Sequence, residues 1–164
     1  MATTTPGAIR DVLIALVAAA TPDRYADRFR AHVEDATHAD DFAAWAEANA
    51  AACLRRFSIM FRHDVTIPDV CDGVTGERVR QTFDFQIAWP VANRYYDLKG
   101  LADTIAMDMR KVRGTIGYAG FPLTYAAHGS LCTVLSESPD LVQRGKAVTI
   151  GSLELTVEYW RVLL

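Results

Sequence analysis

The strongest constraint on the fold is an alternation of residue types near the C-terminus. Between Leu153 and Leu163, apolar residues at 153, 155, 157 and 159 alternate with Glu154, Thr156 and Glu158. A period of two in aliphatic, β-branched and aromatic residues is typical of a long strand with one buried face. The stretch around 83–89 repeats this alternation. We therefore expect two long strands, at 82–91 and 153–163, built into one sheet.

Two apolar stripes at helical spacing predict helices. The first runs from Ile9 to Ala20, with Thr5 as N-cap and Pro6 in the first turn. The second runs from Leu98 to Val112, and we expect Gly114 to end it as the residue after its C-cap.

An alanine-rich run predicts a third helix. It begins near Thr37 and ends at Arg55 and Arg56, whose charges suit the negative end of a helix dipole. Residues 23–35 fit either a short helix or an irregular segment. We expect residues 1–164 to form a single domain, with 23–56 as a candidate helical insertion.

The remaining segments predict strands separated by turns. Residues 57–62 alternate and predict a strand, whereas 63–81 contain Pro68, Asp72-Gly73 and Gly76 and predict a long loop made mostly of turns. Short strands are expected at 131–135 and 147–150, with Gly151-Ser152 separating the second from the terminal strand at a hairpin or a bulge. The predicted fold class is α+β, a mostly antiparallel twisted sheet of four to five strands packed by two to three helices.

Composition excludes several classes of protein. The 164 residues carry a net charge of −3, which argues against wrapping nucleic acid through a whole-surface basic field. The sequence has no apolar run long enough for a membrane span, and its first residues lack the pattern of a secretory signal. Three widely spaced cysteines fit a reducing compartment.

Several residues are candidates for catalysis or ligand binding, but each has a simpler structural explanation. His63, Asp64, Cys71 and Asp72 could form a metal site, but a solvated loop is favoured because no standard ligand spacing is present. Ser130 precedes a strand and lacks the glycine pattern of a nucleophile elbow. The glycines at 114, 117 and 120 follow a helix C-terminus, where phosphate is repelled. We therefore predict no catalytic, cofactor-binding or metal-binding residues.

Two residue groups remain candidates for contact surfaces. Arginines at 55, 56, 62, 78 and 80 could touch a phosphate backbone or an acidic partner, or could be the solvated side of a sheet edge. Aromatic residues in connecting segments often anchor protein interfaces. These residues are Tyr95, Tyr96, Phe121 and Tyr125.

Taken in order, these elements resemble the tail terminator, or tail completion, proteins of long-tailed bacteriophages and gene transfer particles. The resemblance is carried by the opening helix 9–20, the passage Phe83-Asp84-Phe85-Gln86-Ile87-Ala88-Trp89-Pro90, the helix 98–109 and the closing strand 153–161. It covers about two thirds of the chain as a pattern of elements.

The resemblance implies a structural protein without an active site. Such proteins form rings, usually of six subunits, that cap the tail tube and join it to the head. The implied partners are other copies of this chain, the tail tube and neck proteins, with DNA passing transiently through the lumen. The implied location is the host cytoplasm during assembly and then the virion tail or neck.

A ring with rotational symmetry needs two different complementary patches on each subunit. We expect the 114–129 loop and the alanine-rich helix 37–56 to supply them, with Trp45, Tyr95, Tyr96, Phe121 and Tyr125 at the interface. The 64–81 loop, with Arg62, Arg78 and Arg80, would face the lumen or a partner. The alternatives are a neck or head-completion protein, and a small α+β enzyme or ligand-binding domain.

Overall fold

The described part of the chain is built from α-helices and a β-sheet. The computed structural model describes residues 6–25, 27–32, 41–67, 76–92, 98–116, 133–137 and 141–162. The helices are α1 (Pro6–Ala19), α2 (Phe42–Ala48), followed by a 3₁₀ turn (Ala50–Ala52), and α3 (Leu98–Ile116). The strands are β1 (Arg30–Ala31), β2 (Arg56–Ile67), β3 (Gly76–Pro90), β4 (Thr133–Glu137), β5 (Leu141–Arg144) and β6 (Val148–Val162). This arrangement confirms the α+β class.

The strands form one open, mixed and mostly antiparallel sheet. Five strands lie side by side in the order β1-β2-β3-β6-β4, and β5 also pairs with β6. Only the β1–β2 pairing is parallel among the described strands. Because β3 pairs with β6 along its whole length, β4 and β5 must share the other side of β6.

The two faces of the sheet have different coverings. On the inner face, α1 and α3 pack over a core that includes Phe57, Phe83, Phe85, Leu155 and Val157, all at most 1% exposed. On the outer face, α2 covers one end of the sheet through a small cluster of Phe42, Ala46, Cys53, Ala88 and Val148. The alternation along β3 and β6 therefore places apolar residues against α1 and α3, as predicted for the terminal strand.

The central hairpin is longer than its sequence predicts. The first strand continues past Arg62 to Ile67, and the second begins at Gly76 rather than Thr82. The expectation that 63–81 are mostly turns is therefore wrong at 63–67 and 76–81, and residues 68–75 lie outside the described residues. Arg78 and Arg80 mislead here because they lie on the outer face, where their charges do not disturb the strand. Pro90 is the last residue of β3, one of the two positions expected for it.

Two helix boundaries also differ from prediction. The alanine-rich helix does not continue to Arg56: α2 ends at Ala48, and β2 begins at Arg56. Its N-cap is Asp41, whose carboxylate accepts a hydrogen bond from the Ala44 N–H; Thr37 lies outside the described residues. Gly114 lies inside α3, which ends at Ile116, so its predicted role after the C-cap is wrong.

The C-terminal region holds one long strand. The predicted strands at 147–150 and 153–163 join into β6, because Gly151 continues the strand without a hairpin or a described bulge against β3. A β-carbon at Gly151 would lie 2.8 Å from the Trp89 ring, so the close packing of that ring requires glycine. Strand β5 was not predicted from the sequence.

Candidate functional site

The structure places Trp45 in contacts within the chain. Its ring lies 4.2 Å from the His32 ring and 6.2 Å from the Phe42 ring, centroid to centroid. The Arg56 guanidinium lies over the same indole, 5.7 Å from its centroid. Trp45 is half-buried, so only part of it is available to a partner. The other predicted interface residues, Tyr95, Tyr96, Phe121 and Tyr125, lie outside the described residues.

Arg62, Arg78 and Arg80 share the outer face of the sheet. Arg62 Nη1 lies 3.2 Å from Asp84 Oδ1 and 2.5 Å from Glu154 Oε2. Arg78 and Arg80 both bind Glu158, at 2.8 and 3.2 Å. We call these three arginines and three carboxylates the charged strip. It crosses the central strands β2, β3 and β6, so the interpretation of these arginines as a sheet edge is wrong for 78 and 80.

The charged strip is electrically balanced. Partial burial alone raises the pKa of Glu158, but the hydrogen bonds and charges of Arg78 and Arg80 outweigh it and lower the pKa below its ordinary value. The strip therefore presents paired charges instead of a free cationic patch. A shallow depression of about 270 Å³ lies beside it, lined in part by Arg62, Gln86 and Ser152.

Arg55 is a buried charged residue whose contacts differ from those predicted for it. Its Nε donates to Asp108 Oδ2 at 2.7 Å, with both side chains fully buried. The same carboxylate oxygen accepts a hydrogen bond from Trp89 Nε1 at 2.9 Å. Burial raises the pKa of Asp108, while the hydrogen bonds from Arg55 and Trp89 act in the opposite direction.

This buried network fastens the segment before β1 to the core. Arg55 Nη1 donates to the Asp27 carbonyl at 2.8 Å, and Nη2 donates to the Arg24 carbonyl. Arg55 itself adopts a positive φ of 56°, which turns the chain from the 3₁₀ segment into β2. A signal was present in the sequence, since Asp108 interrupts the apolar stripe of α3 between Ile105 and Val112. The prediction that Arg55 lies at a helix end is therefore wrong, and its complete burial also excludes it from the predicted contact surface or solvated sheet edge.

Cys53 is a buried, hydrogen-bonded thiol. Its Sγ donates toward the carbonyls of Ala46 and Asn49, at 3.4 and 3.2 Å. Burial raises the pKa of the Cys53 thiol, against weaker opposing effects of Arg56 and Arg30. A protonated thiol is a poor nucleophile at neutral pH.

An apolar groove lies on the inner face between α3 and β5. It is lined by Ala102, Ile105, Ala106, Met109 and Val142, and its volume is about 390 Å³. We call it the α3–β5 groove. Val142, which lines the groove, is 47% exposed; Leu141, 55% exposed, lies on the outer face beside Arg62. Exposed apolar surface of this kind is typical of contact sites.

The described residues contain no group of three or more histidine, cysteine, aspartate or glutamate side chains placed to hold a metal ion. None of the described helices combines the length and the apolar character needed to cross a membrane. No protein-family model matches this sequence, and no curated protein matches it significantly.

Proposed function

We propose that this protein is a structural, non-enzymatic virion component that forms a ring, caps the tail tube and joins the tail to the head. The proposal starts from the resemblance to tail terminator proteins in the order of helices and strands. The α+β fold, with long central strands and helices α1 and α3 on one face, is compatible with it.

One observation carries the proposal. The large hydrophobic side chains that are most exposed in the described part of the chain are Phe61, Leu141 and Val142. Phe61 lies on β2 and the other two lie on β5, at opposite sides of the sheet. Exposed apolar residues on strand edges favour association with other chains. A head-to-tail ring requires two different contact surfaces on each subunit, and exposed apolar residues at two sides of the sheet meet that requirement.

The charged strip fits a surface past which DNA moves. Free arginines bind phosphates tightly by releasing counterions, whereas arginines already paired with carboxylates bind them weakly. Arg62, Arg78 and Arg80 are each paired in this way. We propose that the strip faces the lumen or a neighbouring tail component.

Deletion of the coding sequence from the genome that specifies the particle tests this function. We expect filled heads and unjoined tails, with tubes that lack a cap and overrun their normal length. Adding back the purified protein should restore joining. Normal, joined particles after the deletion would contradict the proposal, as would a defect in a metabolic reaction with particles intact.

A further inference from the structure

Helix α2 belongs to a second, smaller core. Its buried contacts form the cluster of Phe42, Ala46, Cys53, Ala88 and Val148 on the outer face of the sheet. The main core lies on the inner face under α1 and α3, and among the described residues the two clusters have no buried member in common. Separation of α2 from the sheet would therefore leave the main core intact.

The packing of α2 against the sheet is incomplete on the side of β5. An open depression of about 630 Å³ lies there, and its walls include Ala43, Val148 and Ile150. Ala43 and Ile150 are only partly buried, so the contact removes less apolar surface from water than a filled interface would. In addition, α2 has seven residues, and a helix this short is marginal in water once it loses its packing partner.

The carboxylate of Glu47 connects α2 to the turn between β5 and β6. It accepts hydrogen bonds from Ala147 N at 2.6 Å and from Val148 N at 3.3 Å. Gly145 leaves room for it, because a β-carbon at that position would lie 2.7 Å from Glu47 Oε2. We call this contact the Glu47 latch. Because Glu47 is only partly buried, water can replace these hydrogen bonds when the latch opens.

The chain that follows α2 is held firmly by the main core. Leu54 is 4% exposed within that core, and Arg55 binds Asp108 with both side chains fully buried. Between these residues and α2 lies the short 3₁₀ turn Ala50–Ala52. Residues 49–53 can therefore change conformation while Leu54 and Arg55 keep their contacts.

We propose that α2 is a lid that opens by local unfolding while the main core stays folded, with residues 49–53 as its hinge and the Glu47 latch holding it closed. Opening uncovers Ala88, Val148 and Ile150, which α2 covers wholly or in part in the closed form. The lid thus switches one end of the outer face between a covered and an apolar state. Local opening of this kind requires less free energy than global unfolding.

The buried thiol of Cys53 reports the opening, because its Sγ donates toward the carbonyls of Ala46 and Asn49. Cys71 and Cys132 are first replaced by serine. Labelling by a low concentration of dithionitrobenzoate is then followed in urea concentrations below the midpoint of global unfolding. We expect labelling slower than in the unfolded chain, with a urea dependence clearly smaller than that of global unfolding.

Two outcomes of this measurement would overturn the proposal. A labelling rate with the full urea dependence of global unfolding would mean that α2 separates only when the main core unfolds. A rate that does not change with urea would mean that the reagent reaches Cys53 without release of the helix.

Variants of the latch and of the main core separate the two units. Glu47→Ala should raise the labelling rate of Cys53 about 5- to 150-fold, because two amides lose their acceptor. Glu47→Gln keeps an acceptor oxygen and should raise it less. The matched control is Ile87→Val, which removes one methyl group from the main core. It should lower the urea midpoint of global unfolding and leave the labelling rate unchanged.

The lid would be refuted by either of two results from these variants. Equal acceleration of labelling by Ile87→Val would show that opening includes the main core. An unchanged labelling rate in Glu47→Ala would show that the Glu47 latch does not hold α2 closed.

Discussion

Arg55, which precedes β2, and Asp108 on α3 meet at 2.7 Å with neither side chain exposed to solvent. The pair connects the start of the central hairpin to the helix that covers it, and through Arg55 it also holds the carbonyls of Arg24 and Asp27. A buried ion pair need not stabilise a fold by itself, but removing one partner leaves an uncompensated buried charge.

We therefore predict that Arg55→Met and Asp108→Leu each lower the free energy of unfolding by about 3–5 kcal/mol. The double variant should lose clearly less than the sum, because neither charge remains alone. Urea unfolding of the four proteins completes the double-mutant cycle. Strictly additive losses would show that the two side chains are not energetically coupled.

Two glycines give opposite predictions for the same substitution. A β-carbon at Gly151 would lie 2.8 Å from the Trp89 ring and 3.0 Å from Met109 Sδ, whereas one at Gly114 has nothing within 4 Å. We expect Gly151→Ala to destabilise by about 1–3 kcal/mol through overpacking. Gly114→Ala, within α3, should stabilise by about 0.5–1 kcal/mol. Thermal unfolding of both variants measures this, and equal effects would refute the explanation.

The ion pairs of the charged strip should make the free energy of unfolding depend on pH. Because Arg78 and Arg80 lower the pKa of Glu158 in the folded protein, the contribution of this carboxylate to stability is complete above its ordinary pKa. It is lost as the pH falls through the lowered value. Glu158→Gln should cost at most about 1 kcal/mol at neutral pH, since both arginines are partly exposed.

The measurement is urea unfolding of wild type and Glu158→Gln across the acid range. The difference in unfolding free energy should shrink toward zero as the carboxylate is protonated. A difference that grows toward low pH would mean that the pairing with Arg78 and Arg80 is not its source.

Glu47 fixes α2 to the turn between β5 and β6. Its carboxylate accepts hydrogen bonds from Ala147 N at 2.6 Å and Val148 N at 3.3 Å. We predict that Glu47→Ala costs about 1–3 kcal/mol, because the two amides lose their acceptor. Amide hydrogen exchange should accelerate at 147 and 148. Glu47→Gln, which keeps an acceptor oxygen, is the matched control and should show a smaller change.

Much of the sheet was predictable because its central strands are covered by helices on one face. The alternation along β6 and around Phe83 follows directly from that one-sided burial. Strand β5 was missed because all four of its residues are exposed, so its sequence carries no alternating burial. The extension of β2 past Arg62 is not indicated by the sequence, because His63 and Asp64 interrupt the alternation of apolar residues.

The candidate site was less predictable than the fold. Arg62, Arg78 and Arg80 were recognised as a group, but their carboxylate partners come from strands far apart in the sequence, which no local pattern reveals. Asp108 in the stripe of α3 marked a buried polar contact, yet its partner Arg55 is 53 residues away. The α3–β5 groove could not be predicted from the sequence, because the sequence does not indicate strand β5, which forms one of its walls.

The most direct test of the proposed ring is capping of tail tubes in vitro. Tails from a producer lacking this gene are incubated with the purified protein and imaged by electron microscopy before heads are added. The account predicts one closed ring at one end of each tube, followed by joining to heads. Bare tube ends, with the added protein remaining unbound in solution, would contradict it.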